Sequence, residues 1–446
     1  MLHFLWKKMK AVMVFGIVLL IGAVPMSYGG QEGAKKIKLG VIGPMTFVSG
    51  EGLLRGVSMA VDEVNQSGGV QVGKDKYQID LVKADDNCLR SVTDAVNAME
   101  RLVTVDKVDF VVGGYHSESV FAQQDVIADH KVLFIDTGSA SPRQPARLAK
   151  NFDRYKYYFR IHVDSRQAAL TILATSAMVA DKIRKETGVK VPKVALLMEK
   201  LVWVEPIVKF CQAKLPKMGM EVVGVWRPSS VTTDLTAELT AIKNSGAHMV
   251  LEVASGPAGT IGPRQWGELK IPAALLGNNI PAMGGPHWKS TNGQCSYQLT
   301  NATAGAVEIT PKTMPFYEAF VNRYGNLPVF NENSSYDAIF VLKDAIEKAG
   351  TLKTEAVLKA LEQTDYVGVV GRIVFQPEGS KYPHQVKQGP GYMTMLGMQW
   401  RDGKQVIVWP DGLPVLGDKS WAGCQYKGTE EYELPPWVVE YWKGKE

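Results

Sequence analysis

The sequence predicts an α/β protein built as two lobes of mainly parallel sheet, and three observations predict it. Short apolar stretches alternate with amphipathic helical stretches from Lys36 onward, the same rhythm restarts after residue 157, and 446 residues exceed what one core commonly fills.

In order, the first series reads as strand 37–42, helix 52–66, strand 77–83, helix 91–103, strand 108–113, helix 118–129 and strand 132–135. Leu53, Leu54, Val57, Ala60, Val61 and Val64 recur at helical spacing, as do Val92, Ala95, Val96, Met99 and Leu102. Each helix therefore carries one apolar stripe, and short apolar strands between such helices imply a parallel sheet covered on both faces. A polar stretch from Pro142 to Tyr157 separates this series from a second. The second reads as helix 166–180, strand 193–198, helix 204–217, strand 221–226, helix 235–244 and strands 249–253 and 273–277. Helices predicted at 315–324, 334–348 and 354–363 have no sheet of their own and must pack on an earlier lobe. Arg401-Asp402-Gly403-Lys404 is a hairpin turn signal between strands 393–400 and 405–409.

Lys7, Lys8 and Lys10 precede an apolar run from Ala11 to Val24 and the small-residue stretch Ser27-Tyr28-Gly29, the layout of a cleaved secretory signal over residues 1–29. At about 1.5 Å per residue the run falls short of the roughly 30 Å hydrocarbon core. No Cys follows it for lipid attachment, so a soluble periplasmic or extracellular protein is expected. Removing that segment takes away three lysines and no acid, which lowers the formal charge from +5 to +2. A near-neutral chain with no basic cluster lacks the electrostatic footprint of a nucleic-acid binder.

Cys88, Cys211, Cys295 and Cys424 form no CxxC pair, which argues against structural zinc or a redox motif. One disulfide is possible in an oxidising compartment, and Cys211 reads as a buried core thiol. Gly68 to Lys74 resembles a phosphate loop only superficially, because Asp75 stands where Ser or Thr belongs. No HExxH, GxSxG or GxGxxG occurs, so no catalytic residue, metal or cofactor is assigned. Asp85-Asp86 reads as a solvated strand end, and the aromatic residues of the last twenty positions as a tail packed over a lobe.

Two loops at strand ends carry the functional signal, since ligands of open α/β sheets bind there. Gly113-Gly114-Tyr115-His116-Ser117-Glu118-Ser119 leaves a strand through two glycines and enters a helix, and Asp136-Thr137-Gly138-Ser139-Ala140-Ser141-Pro142 follows the next strand. Hydroxyls and free N–H groups at a helix start suit a carboxylate, although serines there also serve as ordinary caps.

These residues resemble the leucine/isoleucine/valine-binding proteins, type I periplasmic binding proteins that serve ABC importers. The resemblance rests on Lys38-Leu39-Gly40-Val41-Ile42-Gly43-Pro44-Met45-Thr46, Gly56, Asn65-Gln66-Ser67-Gly68-Gly69-Val70, Asp85-Asp86-Asn87-Cys88, Val111-Val112-Gly113-Gly114 and Ser334-Ser335-Tyr336-Asp337-Ala338. It implies two Rossmann-like lobes joined by three hinge crossovers, at 37–158 plus 285–388 and at 159–284 plus 389–446. A small ligand, an amino acid or other small carboxylate, is expected between them, with an importer's membrane permease as partner and a monomeric state. Ser117 matches the serine that holds the ligand carboxylate, and Ser139 falls at a backbone contact. Ala140 stands where a threonine hydroxyl is expected, with Ser141 as its neighbour. Trp203 matches an aromatic cover from the second lobe, and Ser255 replaces a tyrosine. Asn279 stands where amino-acid binders carry the glutamate that pairs the ammonium, with Glu118, Glu205 and Glu252 as other sources of that charge. The departure at Asn279 implies a ligand without an α-amino group. His116 stands where the family's bridge from the position of Cys88 would end, leaving Cys295 with Cys424 as the alternative disulfide. A ligand sensor of the same fold acting through a separate receptor is the second reading, and an extracellular hydrolase the third.

Overall fold

In the computed structural model, which describes residues 35–389, 391–410 and 429–445, the strands form two large sheets and one small ladder. The leader expected at 1–29 and Cys424 lie outside the described residues. The first sheet contains β1 (Lys35–Gly43), β2 (Val70–Val72), β3 (Asp75–Asp85), β4 (Phe110–Gly113), β5 (Leu133–Asp136) and β6 (Tyr158–Arg160), in the order β2-β3-β1-β4-β5-β6. Only β2 runs antiparallel to its neighbour. The two-residue period of β1 explains its central place. Leu39 and Val41 join the apolar cluster of helix Val48–Gln66, whereas Ile42 joins that of helices Val92–Thr104 and Ser117–His130.

The second sheet begins with β7 (Lys193–Met198), β8 (Glu221–Trp226), β9 (Met249–Ala254), β10 (Ala274–Asn279) and β11 (Leu299–Ala302), all parallel. After a two-stranded ladder of β12 (Asp365–Val367) and β13 (Arg372–Val374), the hairpin β14 (Leu396–Arg401) and β15 (Lys404–Trp409) completes it, in the order β15-β14-β11-β10-β9-β7-β8. Asp402 and Gly403 both have positive φ, as the sequence signal for a tight hairpin requires. Leu196 and Met198 face the cluster of helix Ser165–Thr187, and Ala195 and Leu197 face that of helices Thr236–Asn244 and Ala258–Glu268.

Three features differ from the sequence reading. The polar stretch 142–157 contains helices Arg143–Lys150 and Phe152–Tyr155 and leads into β6, so the first sheet extends to Arg160. The stretch 285–302, expected in the first lobe, carries β11 and belongs to the second sheet. Its Thr300 and Asn301 break the apolar pattern that marks a buried strand, yet the Thr300 hydroxyl bonds the Asn279 backbone at 3.0 and 2.9 Å and fixes β11 beside β10. Asp86 is fully buried rather than solvated, and its carboxylate accepts from the Cys88 amide at 3.2 Å.

The helices Thr313–Tyr324, Phe330–Ala349 and Thr354–Glu362 return to the first lobe. Helix Phe330–Ala349 crosses helix Val48–Gln66 closely enough that a Cβ on Gly56 would lie 2.3 Å from the Glu332 carbonyl. Among the described residues the chain thus passes between the lobes three times. Near its end, helix Pro436–Trp442 packs on the second lobe, where Trp437 Nε1 donates to the Ile271 carbonyl at 3.0 Å and Trp442 Nε1 to that of Pro272 at 2.5 Å. Cys88, Cys211 and Cys295 are buried free thiols, and burial raises the Cys211 thiol to about 12.

Candidate functional site

Gly113 and Gly114 let the chain turn sharply off β4. Gly113 has φ 133°, and a Cβ there would lie 2.0 Å from the Ile42 carbonyl, so no side chain fits. Helix Ser117–His130 then begins without a side-chain cap. The Ser117 Oγ accepts from the amides of Ala140 at 3.3 Å and Ser141 at 3.1 Å, joining the two candidate loops. Those bonds engage its lone pairs and leave its O–H as a donor.

The second loop folds around Asp136, whose carboxylate accepts from the amides of Gly138 at 3.0 Å and Ser139 at 2.9 Å, from the Ser139 hydroxyl and from Tyr158 Oη at 2.6 Å. Burial raises the Asp136 pKa, opposed by the Arg160 guanidinium. Arg160 is itself fully buried and donates from Nη1 to the Ser141 carbonyl at 2.7 Å, bracing the loop from behind.

The second lobe contributes Trp203, Ser255, Asn278 and Ile280. Trp203 Nε1 donates to Glu199 Oε1 at 3.1 Å, and the same carboxylate accepts from the Ser255 hydroxyl and, at 2.9 Å, from its amide. Desolvation raises Glu199 to about 7 despite those three donors. Contacts between the lobes include two hydrogen bonds across the cleft. Tyr115 Oη donates to the Ser255 carbonyl at 2.5 Å, and the Val202 amide donates to Glu118 Oε1 at 2.8 Å.

Between these walls lies a narrow cleft. Ser117, Ala140, Trp203 and Ser255 line it, as expected for a site at the strand ends. Ser139 and Ser141 stand behind the lining. The Ser139 hydroxyl turns to Asp136, and the Ser141 Oγ accepts from the Arg143 amide at 3.2 Å. Asn279 faces away from the cleft. Its Nδ2 donates to Glu252 Oε2 at 2.6 Å and to the Gly259 carbonyl at 2.7 Å, and its Oδ1 accepts from the Ala282 amide at 3.2 Å. Neighbouring strand residues point to opposite faces, so Asn278 takes the cleft-facing place expected of Asn279. Sequence reasoning also missed Tyr115, His116, His162, Ile280 and Phe330 as lining residues. Tyr115 and His116 sit inside the first loop and were within reach of it, whereas His162 and Phe330 arrive from distant segments with no local signature.

Among the described residues no Asp, Glu, Lys or Arg lines the cleft. Glu118 bonds Val202, Glu205 pairs with Arg227 at 2.7 Å, and Glu252 accepts from Asn279 and, at 3.2 Å, from Gln298. Among the described residues no group of three His, Cys, Asp or Glu is placed to hold a metal ion, and no helix is long and apolar enough to cross a membrane.

Two lobes of α/β structure with a polar and aromatic cleft between their strand ends define a binding protein of the hinged, two-lobed class. Residues 36–404 match the family model described as periplasmic binding protein. The Leu/Ile/Val-binding protein homolog 7 of Brucella suis is 26% identical over 413 residues, covering 89% of this chain and 95% of that protein. The leucine-, isoleucine-, valine-, threonine-, and alanine-binding protein of Pseudomonas aeruginosa is 25% identical over 350 residues, covering 78% and 87%. Among solved structures, the leucine-binding protein LivK of Thermotoga maritima superposes with a TM-score of 0.68 at 21% identity, over 84% of this chain and 100% of that one. An ABC transporter solute-binding protein of R. palustris in complex with benzoate gives 0.71 at 16% identity, over 87% and 99%. The chain belongs to the periplasmic binding protein family.

Proposed function

We propose that this chain is the secreted solute-binding component of an ABC importer, exported through residues 1–29, and that it closes its two lobes over a small carboxylate with an apolar or aromatic body and no α-ammonium. The observation that carries the ligand class is the cleft lining, which combines hydroxyl, amide and imidazole groups with the rings of Tyr115, Trp203 and Phe330 but no acidic side chain. An ammonium buried without a carboxylate loses roughly 3–5 kcal/mol, or about two to four decades of affinity. A carboxylate, by contrast, meets the Ser117 O–H and the uncapped start of helix Ser117–His130, whose first N–H groups favour negative charge. Relatives span both chemistries: the R. palustris protein holds benzoate, and a Streptococcus pneumoniae neighbour holds isoleucine.

The test is native mass spectrometry of the purified protein, followed by a thermal-shift panel of branched-chain amino acids against their deaminated counterparts and aromatic acids. Ligand binding raises the melting temperature by mass action. Stabilisation by carboxylates without an amino group is the expected result. Stabilisation by amino acids alone overturns the ligand class, and ligand-independent ATP hydrolysis by the reconstituted importer overturns the transport role.

A further inference from the structure

Two side chains in the cleft are not accounted for by a carboxylate site. His162 lies in the connection between β6 and helix Ser165–Thr187, and Asn278 lies on β10 in the second lobe, whereas Ser117 stands at the end of the first sheet. His162 is 5% exposed and Asn278 4%. Neither ring nitrogen of His162 makes a well-aligned hydrogen bond, although the Val163 and Ser139 backbones lie near the ring, and Asn278 Oδ1 has no partner. A buried polar atom left unpaired costs about 1–3 kcal/mol, and here four of them border one cavity, the fourth being Nε2 of His116 beside Ser117.

The imidazole of His162 packs edge-on against Phe330, with ring centroids 5.0 Å apart, a position that a phenyl ring would fill equally well if packing were its only task. Burial and the nearby Arg160 push the His162 pKa down to about 3, so the ring is neutral and presents one N–H and one bare nitrogen. Asn278 adds a carbonyl oxygen. Such a set has no charge with which to bind a second carboxylate or an ammonium, and it matches a group that both donates and accepts.

We propose that His162 and Asn278 form a second polar subsite that binds a hydroxyl group carried by the ligand, away from the end held at Ser117. This rests on the carboxylate reading above and narrows it to hydroxylated carboxylates. Phe330 and Tyr115, packed on each other with ring centroids 6.0 Å apart, form one apolar wall for the ligand body.

The experiment is calorimetric titration of the full-length mature protein with matched pairs: benzoate against its meta- and para-hydroxy derivatives, and hexanoate against 6-hydroxyhexanoate. A site that pairs a ligand hydroxyl discriminates against the analogue lacking it, because its own polar groups are then left unpaired. The expected result is a preference of about 10-fold or more for the hydroxylated member of at least one pair, falling below about 3-fold in His162→Phe and in Asn278→Leu. The preference in the unsubstituted protein is informative even if one variant fails to fold. Equal affinity within every pair, or a preference that survives both substitutions, overturns the subsite and leaves the carboxylate reading standing. Binding of amino acids alone, or of none of these probes, overturns both.

Discussion

The indole of Trp203 is anchored by the carboxylate of Glu199, 3.1 Å from Nε1 to Oε1, and that same carboxylate fixes Ser255. Two of the four cleft-lining residues of this wall, Trp203 and Ser255, thus take their orientation from one buried acid that does not itself line the cleft. Glu199→Gln presents an amide NH2 where one of three donors now points, so one bond must break or reverse. Ligand affinity should fall by about 1–2 kcal/mol, roughly 5- to 30-fold, with an altered Trp fluorescence spectrum and unchanged circular dichroism. Unaltered affinity and fluorescence would show that Trp203 is held by packing alone.

Ser117 joins the two loops of the first lobe and keeps its O–H for the ligand. Ser117→Ala should weaken a carboxylate ligand by about 1.5–3 kcal/mol, the range for a hydrogen bond to a charged group. Titration calorimetry measures this directly, and an undiminished affinity removes Ser117 from the site.

Tyr115 Oη and Ser255 O bridge the lobes at 2.5 Å, and burial raises the phenol's pKa so that it stays a donor. Tyr115→Phe removes one closing contact of about 1 kcal/mol. The ligand-free protein should then show a larger radius of gyration by small-angle scattering. No change would mean that closure does not depend on this bond.

Glu252 is raised from 4.5 to about 8, chiefly by desolvation. Because the folded state holds this proton more tightly than the unfolded chain, stability is fully present below about 4.5 and declines as pH rises towards 8; Glu199 acts in the same direction up to about 7. Buried His162 and His287, lowered by desolvation to about 3 and about 4, act in the opposite sense up to about pH 6.5, so the melting temperature should fall from about pH 6.5 to pH 8, and Glu252→Gln should flatten that decline. A melting temperature that rises over the interval, or an identical profile in the variant, contradicts this assignment.

The fold was legible wherever burial imposed a period. The stripes of Leu53, Val57 and Val64 and of Ala95, Met99 and Leu102 marked helices that pack on the first sheet. It was illegible where polar residues are buried by specific bonds, as in β11, whose Thr300 bonds the Asn279 backbone. The first lobe's part of the site showed itself through Gly113-Gly114 and the serine that follows. The second lobe's part did not: Asn278 and Asn279 are chemically identical neighbours, and only strand direction decides which one reaches the cleft. Glu199 is a single acid in a turn, distinguished by three donors that only the folded chain assembles.

The indoles of Trp437 and Trp442 fasten the last helix to Ile271 and Pro272, and Lys182 pairs with Glu431, so this end of the polypeptide is tied to the second sheet's side. A dye or fluorescent fusion attached after residue 445 would accordingly ride with that half. Paired with a label on the exposed start of β1, at Lys35 or Lys36, it would turn capture of the guest molecule into an optical signal without touching the crossovers on which the motion turns.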